Sequence, residues 1–369
     1  MCINIKIRKY CCVMTFTILL FATLFMSVNL FSQAGGASVP FLRISPDARA
    51  SGMGETGVAI ADNANAVYWN PGGLAFLDYF NRGSDFEDPI PFRQVSLCGS
   101  PWLPQFNADL YYAYAAFVNY FEGIGTLAAN FRFMNLGTFT RTDFTGEKRG
   151  EFNSNEFALS FAFGTQITQD LGVGANLSYI RSNLTPSFNN QAAAIGNSAS
   201  LDVGMLWKPR NLWYLKDNLS LGFNLQYLGP KITYISDADP LPTNLKMGFA
   251  YTLFKDEFND LKIAVDLQKL LVKRDSAGGS DPVPISVFTA WQNPGIETAF
   301  GLEYWYEKIF ALRGGYFTEP SNLGGRHFWN LGLGVKYRIF QLDFGYILTI
   351  EQNHPLANTM RFSLLMDWK

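Results

Sequence analysis

Large apolar residues alternate with small or polar ones from about residue 94 to the end of the chain. In residues 157–164, FALSFAFG, every second residue is Phe or Leu, and the residues between them are small. Residues 219–227, LSLGFNLQY, and 261–268, LKIAVDLQ, repeat the pattern with polar residues in the second set. A period of two is that of a β-strand, whose successive side chains point to opposite faces. The pattern therefore predicts an all-β fold in which each strand has one apolar face.

The spacing of these stretches predicts about fourteen antiparallel strands closed into a transmembrane β-barrel. We expect the strands at residues 94–102, 109–120, 126–136, 155–167, 171–182, 198–208, 218–229, 244–254, 260–271, 297–306, 309–317, 328–338, 340–350 and 358–368. An even number of strands closes a barrel with both chain ends on one side. Residues 285–291 could form a further strand, but parity and the adjoining turn at 292–295 favour a short loop helix.

The apolar faces could point to the core of a soluble sandwich or to lipid. Aromatic residues make up 16% of the chain, with 33 Phe and 17 Tyr, while charged residues make up only 16%. Membrane barrels place aromatic residues at both lipid interfaces and use strands of about ten residues, so lipid is favoured. The long apolar run is confined to the N-terminus, so we expect no helical span in the mature part. A net charge of −2 argues against a nucleic-acid partner.

The first 34 residues have the pattern of a secretory signal peptide. Basic residues precede an apolar run from Val13 to Leu30, and Ser32-Gln33-Ala34 fits a small-x-small cleavage site. An uncleaved membrane anchor is the alternative. Removal of the peptide leaves Cys98 without a second cysteine, so no internal disulfide is expected. We divide the chain into a signal peptide at 1–34, an N-terminal plug and link at 35–93, and an outer-membrane β-barrel at 94–369.

The predicted connections alternate in length along the barrel. Those near 137–154, 183–197, 230–243, 273–296 and 318–327 are long, and those between them are short. Outer-membrane barrels have long extracellular loops and short periplasmic turns. The asymmetry predicts that the long loops face the cell exterior and that the N-terminal plug lies on the periplasmic side.

The stretch Val39–Ala75 has neither the period of a strand nor that of a helix. Its glycines and alanines allow close backbone approach, and its charged residues need partners if they are buried. We interpret it as a plug, or hatch, that folds inside the barrel. The residues that we expect to build it are Arg43, Asp47, Arg49, Gly52, Gly54, Glu55, Gly57, Asn70 and Pro71. Gly52–Gly57 also matches G-x-G-x-x-G, but no apolar strand precedes it, so dinucleotide binding is not expected.

Charged residues in a barrel wall belong on the inside, where they can meet water or the charges of the plug. Counting by alternation places the following residues inside: Arg132, Arg181, Lys262, Asp266, Asp343, Arg361 and Asp367. These charges could form a selectivity filter or could anchor the plug. Because the plug supplies charges of both signs, anchoring is favoured.

No pattern of metal ligands or catalytic residues stands out. His327 and His354 fall in predicted outer loops without a neighbouring Cys or second His, and a zinc site needs about four ligands. Asp237-Ala238-Asp239 and the acids in 275–281 lack the spacing of a known calcium loop. We therefore expect no cofactor, no metal and no enzymatic activity.

The plug stretch resembles a known family. Residues Val39–Gly57, followed by Tyr68-Trp69-Asn70-Pro71, are similar to the N-terminal signature of PorV, the outer-membrane barrel of the type IX secretion system and a relative of the long-chain fatty-acid transporters. The resemblance continues through SPWL at 100–103, NEFA at 155–158, YIRSNL at 179–184, LPTNL at 241–245, LRGGYF at 312–317 and NHPLANT at 353–359. The link at 80–92 looks longer than the family's usual one.

The resemblance implies an outer-membrane protein that takes part in protein secretion in a Gram-negative cell. Members of the family collect cargo proteins with a C-terminal sorting domain from the translocon barrel and hand them to a surface sortase and attachment complex. The implied partners are therefore that translocon, the cargo, that complex and outer-membrane lipids. The candidate partner-binding residues in the outer loops are Trp102, Leu103, Ile285, Phe288 and Trp291. A fatty-acid-transporter-like channel for hydrophobic small molecules and a lipid-A-modifying barrel enzyme are the alternatives.

Overall fold

The computed structural model describes residues 36–77, 93–106, 109–143, 145–187, 192–210, 212, 218–273, 279–292, 295–351 and 354–368. The predicted signal peptide at 1–34 and the predicted link at 80–92 lie outside the described residues.

Strands account for most of the described residues. In chain order, β1–β16 are Arg93–Pro101, Tyr111–Phe121, Gly125–Thr142, Lys148–Gln166, Leu171–Thr185, Ala194–Trp207, Leu219–Leu228, Ile232–Tyr234, Asp237–Asp239, Asn244–Lys255, Asn259–Leu270, Glu297–Tyr306, Phe310–Thr318, His327–Tyr337, Phe340–Thr349 and Met360–Trp368. Each stretch predicted as a strand coincides with one of these, apart from small differences at the ends and the extension of β3 and β4 described below.

The long strands form one closed antiparallel barrel of fourteen strands, as the sequence predicts. Strand β1 pairs with β2 on one side and with β16 on the other, in a register that joins Arg93 to Trp368 and Gly99 to Phe362. The order then runs from β16 back to β10, and from β7 back to β2. Strands β8 and β9 form a separate hairpin in the connection between β7 and β10. Closure leaves the barrel without an unpaired edge.

The barrel strands place small and polar residues inside and large apolar residues outside. In β4, Ala158 and Ser160 are fully buried, whereas Phe161 is exposed on the opposite face. Leu177 in β5 and Leu331 in β14 are likewise exposed. Lipid accepts such a surface because every backbone polar group of a closed barrel is paired within the sheet.

The connection predicted at 137–154 consists mostly of strand. Strands β3 and β4 are 18 and 19 residues long and continue into a projecting hairpin. Phe139 stacks on Phe152 with ring centroids 5.7 Å apart, and the Thr138 hydroxyl donates a hydrogen bond to Asn153. Cross-strand pairs of this kind stabilise the hairpin, which continues from two paired strands of the barrel. The prediction of a long loop at this position is therefore wrong.

A second departure concerns Tyr227, which simple alternation places on the outer face. Its backbone is left-handed, with φ 58°, and its side chain is buried inside the barrel. The register between β6 and β7 shifts between Leu201 and Val203, so β7 carries a bulge at this point. A bulge turns a side chain to the other face. The Tyr227 hydroxyl donates a 2.6 Å hydrogen bond to the carbonyl of Leu42.

Residues 36–77, which we call the inner segment, are almost entirely buried against the inner faces of the strands. The segment contains a 3₁₀ helix at Pro40–Arg43, α-helices at Ala48–Gly52 and Ala66–Trp69, and a 3₁₀ helix at Pro71–Phe76. Short helices also lie in the connections, at Pro104–Phe106, Ile285–Thr289, Ala290–Gln292 and Ser321–Leu323. The helix predicted at 285–291 is thus confirmed. Among the described residues, no helix has both the length and the apolar character that crossing a membrane requires.

The two ends of the barrel differ in their connections. The loop end carries the connections that follow β1, β3, β5, β11, β13 and β15, and the connection from β7 to β10 that contains the β8–β9 hairpin. The turn end carries the connections that follow β2, β4, β6, β10, β12 and β14, together with the start of β1 and the end of β16. The inner segment reaches both ends. At the loop end, the Ser38 amide donates to the carbonyl of Pro240, 3.0 Å away. Near the turn end, Phe76 packs against Leu206.

Candidate functional site

Asp47 connects the two halves of the inner segment, which are residues 36–62 and residues 63–77. One of its carboxylate oxygens accepts a 2.6 Å hydrogen bond from the Ala50 amide and so caps the helix Ala48–Gly52. The other oxygen accepts a 2.7 Å hydrogen bond from Trp69 Nε1. The capped helix and the helix that ends at Trp69 are therefore held at a fixed spacing.

A buried ion-pair network joins the first half of the inner segment to the wall. Arg49 donates to Glu303 from Nε and Nη2, at 2.8 and 2.7 Å, and it also donates to Asp62. Glu303 accepts a further hydrogen bond from Arg313, 2.7 Å away, and Arg313 donates to Asp343 at 2.8 Å. Loss of one member leaves an uncompensated buried charge. The network therefore fixes the helix Ala48–Gly52 against β12, β13 and β15.

Two further ion pairs lie nearer the loop end. Arg43 donates to both carboxylate oxygens of Glu297. Arg361 donates to Glu55 at 2.6 Å. Glu297 and Glu303 were missed in the sequence analysis. Glu303 lies between Leu302 and Tyr304 in β12, so its position in the alternation was the available signal.

Backbone groups of the inner segment also meet wall charges. Asp266 accepts hydrogen bonds from the amides of Gly57 and Val58, at 2.7 and 2.9 Å. Arg132 donates to the Leu42 carbonyl, 3.3 Å away, and to the Tyr227 hydroxyl, 3.0 Å away. Both wall residues are buried on the inner face, as predicted.

Arg181 does not lie on the inner face, so that prediction is wrong. Its neighbours in β5, Ile180 and Ser182, are fully buried on the inner face. Arg181 is half-buried and faces outward with Leu177 and Tyr179. Its position near the loop end lets the long guanidinium side chain reach the headgroup region instead of hydrocarbon.

The second half of the inner segment contacts the wall through uncharged groups. The Asn70 amide donates to the carbonyls of Val58 and Met205, at 3.0 and 2.8 Å. Its oxygen accepts from the Gly72 amide, 3.0 Å away, and so caps the helix that Pro71 begins. One side chain thus ties the turn to the rest of the inner segment and to β6.

Glycines in the wall permit this half to approach at backbone distance. A Cβ placed on Gly174 would lie 2.2 Å from the carbonyl oxygen of Pro71, and one on Gly204 would lie 2.3 Å from Asn70 Oδ1. Neither separation is possible for real atoms. Glycine is therefore required at these positions because the helix Pro71–Phe76 lies directly on β5 and β6.

The predicted plug glycines make contacts of the same kind. A Cβ on Gly52 would lie 2.7 Å from Gly332 Cα, and one on Gly57 would overlap the Trp69 ring. Gly54 has φ +69°, and a Cβ there would lie 2.4 Å from the Phe300 carbonyl oxygen. The G-x-G-x-x-G match reflects tight packing at the end of a short helix, since the described residues before it, 36–51, contain no strand.

A cavity of about 320 Å³ opens above the inner segment at the loop end. Its floor comes from Phe41, Arg43, Tyr68 and Trp69 of the inner segment. Its wall combines apolar side chains with buried charges. The lining includes Trp102, Met134, Leu136, Glu156, Lys246, Gln268, Glu297, Phe317, Glu319, Arg326, Phe328, Leu356 and Arg361.

The candidate loop residues fall into two groups. Ile285, Phe288 and Trp291 lie together in the connection between β11 and β12 and are 52%, 77% and 55% exposed. Trp102 and Leu103 are partly buried and pack against the cluster formed by Phe317, Phe328 and their neighbours at the barrel mouth. The first group forms a free apolar surface, and the second group closes the loop end.

Two side chains in the loops have pKa values that are shifted from their ordinary values. The pKa of Asp143 is lowered to about 2, because the carboxylate accepts hydrogen bonds from the Thr145 hydroxyl and from Arg149. Burial lowers the pKa of His354. His354 Nδ1 accepts a hydrogen bond from the Leu356 amide, and His327 Nδ1 is hydrogen-bonded to the Thr318 hydroxyl. Within the described part of the chain, no group of three or more His, Cys, Asp or Glu residues could hold a metal ion.

A closed antiparallel barrel with an apolar outer face and a filled, charged interior has the architecture of an outer-membrane β-barrel protein. The Pseudomonas putida toluene transporter TodX has this fold, with a TM-score of 0.50 and 14% identity over 92% of this chain and 98% of the transporter. A deltaS2S3 mutant of TodX, described as a monoaromatic hydrocarbon channel, gives a TM-score of 0.53 and 13% identity, covering 87% of this chain and 97% of that one. At such identities the likeness shows the fold alone.

The family model of the type IX secretion system protein PorV matches residues 32–276. The chain therefore belongs to the PorV family and is an outer-membrane component of the type IX secretion system. None of the curated proteins matches the sequence.

Proposed function

We propose that this protein binds cargo proteins carrying a C-terminal sorting domain at the translocon and delivers them to the surface attachment complex. The role is binding, and no catalytic step is assigned to it. The inner segment occupies the barrel interior through ion pairs and backbone contacts, so the surface that remains for a large partner is the loop end.

The observation that carries the proposal is the exposed apolar surface formed by Ile285, Phe288 and Trp291. These residues are 52%, 77% and 55% exposed and lie on the two consecutive short helices, Ile285–Thr289 and Ala290–Gln292, of the β11–β12 connection. Large aromatic residues left exposed next to one another are typical of protein-binding surfaces, and aromatic anchors contribute much of the binding energy.

Replacement of 273–296 by a short Gly-Ser linker tests this role in cells. Cargo proteins should then accumulate uncleaved in the periplasm, while the barrel still folds, because loops tolerate replacement. The double variant Phe288→Ser, Trp291→Ser should reproduce the defect with a smaller change to the chain. Ile235→Ser is the matched control, because Ile235 is 68% exposed at another loop of the same end. Normal cargo secretion in the linker variant would remove this loop from the proposed contact.

A channel for hydrophobic small molecules is the second candidate function. It is supported by the fold shared with the TodX toluene transporter over 92% of this chain. Uptake of toluene or of long-chain fatty acids by cells that carry only this barrel is the deciding measurement. If uptake depends on the protein and fails in the linker variant while cargo secretion is normal, transport replaces cargo binding as the function.

A further inference from the structure

The loop-end cavity has the size and position of a binding site. Its volume of about 320 Å³ would hold about ten water molecules. Phe41 and Tyr68 form part of its floor, so the inner segment borders it on that side. Pro40, which lines it, is exposed, and the cavity is therefore reached from the loop end.

Most charges in the cavity are already paired with one another. Arg43 pairs with Glu297, Arg361 pairs with Glu55, and Arg326 pairs with Glu319 at 2.7 Å. These pairs leave Lys246 and Glu156 as lining charges that lie in no ion pair among the described residues.

Lys246 presents a buried ammonium group to the cavity. Its side chain is 3% exposed, and Nζ lies 4.8 Å from the ring centroids of both Tyr68 and Trp69. Ring faces attract a cation, but they accept none of its N–H groups in the way that a carboxylate does. No described residue accepts a hydrogen bond from Nζ. The carboxylates of Asp266, Glu297 and Glu55 attract Lys246 from beyond ion-pair distance, so an anion that accepts a hydrogen bond from Nζ must come from outside.

Glu156 presents the opposite charge from the other side. It is 4% exposed, and Oε1 accepts a 2.7 Å hydrogen bond from the Ser182 hydroxyl. No cation of the described residues lies within ion-pair distance of it. Glu156 is on β4 and Lys246 is on β10, with β5, β6 and β7 between them in the barrel. The two charges therefore remain separate unless a ligand bridges them.

We propose that this cavity binds a segment of a cargo protein that carries an acidic and a basic side chain, with the acid at Lys246 and the base at Glu156. The inference rests on the proposed cargo-binding function and gives that function a second contact. A purely apolar ligand would bury both charges without partners, and a fatty acid would leave Glu156 without one. Met134 and Leu136 supply apolar surface for the stems of the bound side chains.

Binding of a purified, labelled cargo sorting domain to the detergent-solubilised full chain tests the proposal. Lys246→Met and Glu156→Gln should each weaken binding about tenfold or more, because each removes a charge-assisted hydrogen bond. Lys246→Arg should stay within a few-fold of wild type. Lys262→Met is the matched control, since Lys262 faces the interior near Asp62, outside the cavity.

The melting temperature separates a binding role from a structural one. Lys246→Met should melt at the wild-type temperature or higher, because it removes a buried charge that lies in no ion pair among the described residues, and the methionine side chain can still pack on the Tyr68 and Trp69 rings. Weaker binding with unchanged melting supports the proposal. If wild type binds and both charge variants bind equally well, the cavity is not the contact, although the proposed function stands. If wild type does not bind the domain at all, the proposed function fails. If Lys246→Met weakens palmitate binding and leaves cargo binding unchanged, the occupant is a small molecule and the proposal is overturned.

Discussion

The two halves of the inner segment are held by different chemistry. Residues 43–62 carry the charges and form ion pairs with β11, β12 and β16, such as Arg49 with Glu303 and Glu55 with Arg361. Residues 70–76 carry no ionisable side chain and lie directly on β4, β5 and β6. In the first half, removal of one charged side chain leaves its buried ion-pair partner without a counter-charge. In the second half, addition of one methyl group produces a clash with backbone. The first half is therefore held by charge complementarity, and the second half is held by close packing of backbone on backbone.

The largest effect is expected when the buried network loses its central cation. Arg313→Met removes the cation that pairs with Asp343 and one of the two arginines that pair with Glu303. A broken buried ion pair costs about 3–5 kcal/mol of unfolding free energy. The loss of unfolding free energy is measured by urea unfolding in detergent, with tryptophan fluorescence as the signal.

A double variant separates charge from packing in that network. Arg313→Met with Asp343→Leu should recover most of the stability, because a well-packed apolar replacement of a buried pair is often neutral. Glu303 keeps Arg49 in this variant. If Arg313→Met alone unfolds like wild type, charge does not hold the first half.

A substitution that disturbs the backbone packing of the second half should cost less unfolding free energy than the loss of Arg313. Its effect should depend equally strongly on the position that is changed. Gly174→Ala would place a Cβ 2.2 Å from the Pro71 carbonyl oxygen and 2.9 Å from that of Phe163. Both obstacles are backbone, so the helix Pro71–Phe76 must move, at a cost of about 1–3 kcal/mol.

Gly314→Ala is the control for this variant, because no atom lies within 4 Å of a Cβ at that position. It should leave the unfolding midpoint within experimental error of wild type. Equal effects of the two substitutions would mean that glycine acts through strand propensity and not through contact with the inner segment.

Asp47 tests whether the halves depend on each other. Asp47→Ala removes the cap of the helix Ala48–Gly52 and leaves Trp69 Nε1 without its acceptor, for a loss of about 1–2 kcal/mol. Asp47→Asn should lose less, because asparagine also caps helices. Protection of backbone amides in 70–76 against hydrogen exchange should fall in Asp47→Ala. Unchanged protection there would show that the halves are held independently.

The sequence predicts the wall far better than it predicts the contacts inside it. The period of two is a local property, so stretches such as 157–164 reveal both a strand and its outward face. The partners of Arg43 and Arg49 are Glu297 and Glu303, each 254 positions away. Their meeting depends on the register of the whole closed barrel, which no local pattern contains.

Local irregularities account for the remaining errors. A bulge turns the Tyr227 side chain to the inner face, and strand pairing that includes the stacked Phe139 and Phe152 extends through most of the expected loop at 137–154. The candidate loop residues were chosen for apolar character. Apolar character does not distinguish the exposed Phe288 from the packed Trp102, because burial at the barrel mouth depends on neighbours from other loops.

The smallest effect is expected from an ion pair outside the barrel. Arg149 donates to Asp143 at 2.8 Å, a geometry close to that of Arg313 with Asp343, but both side chains lie in the projecting hairpin in contact with water. Water screens such a pair, so Arg149→Met should leave the melting temperature unchanged.

The Asp143 pKa of about 2 fixes the pH range of this last test. Because the folded pKa lies below the ordinary value near 4, the ionised carboxylate orders the hairpin tip fully above about pH 4. That contribution is lost as the pH falls through about 2. The amide proton shifts of Thr145 and Glu147, which donate to Asp143, should titrate with a midpoint near pH 2. A midpoint near 4 would mean that these bonds do not form in solution. A melting change in Arg149→Met as large as that in Arg313→Met would show that position inside the barrel is not what makes the buried charges matter.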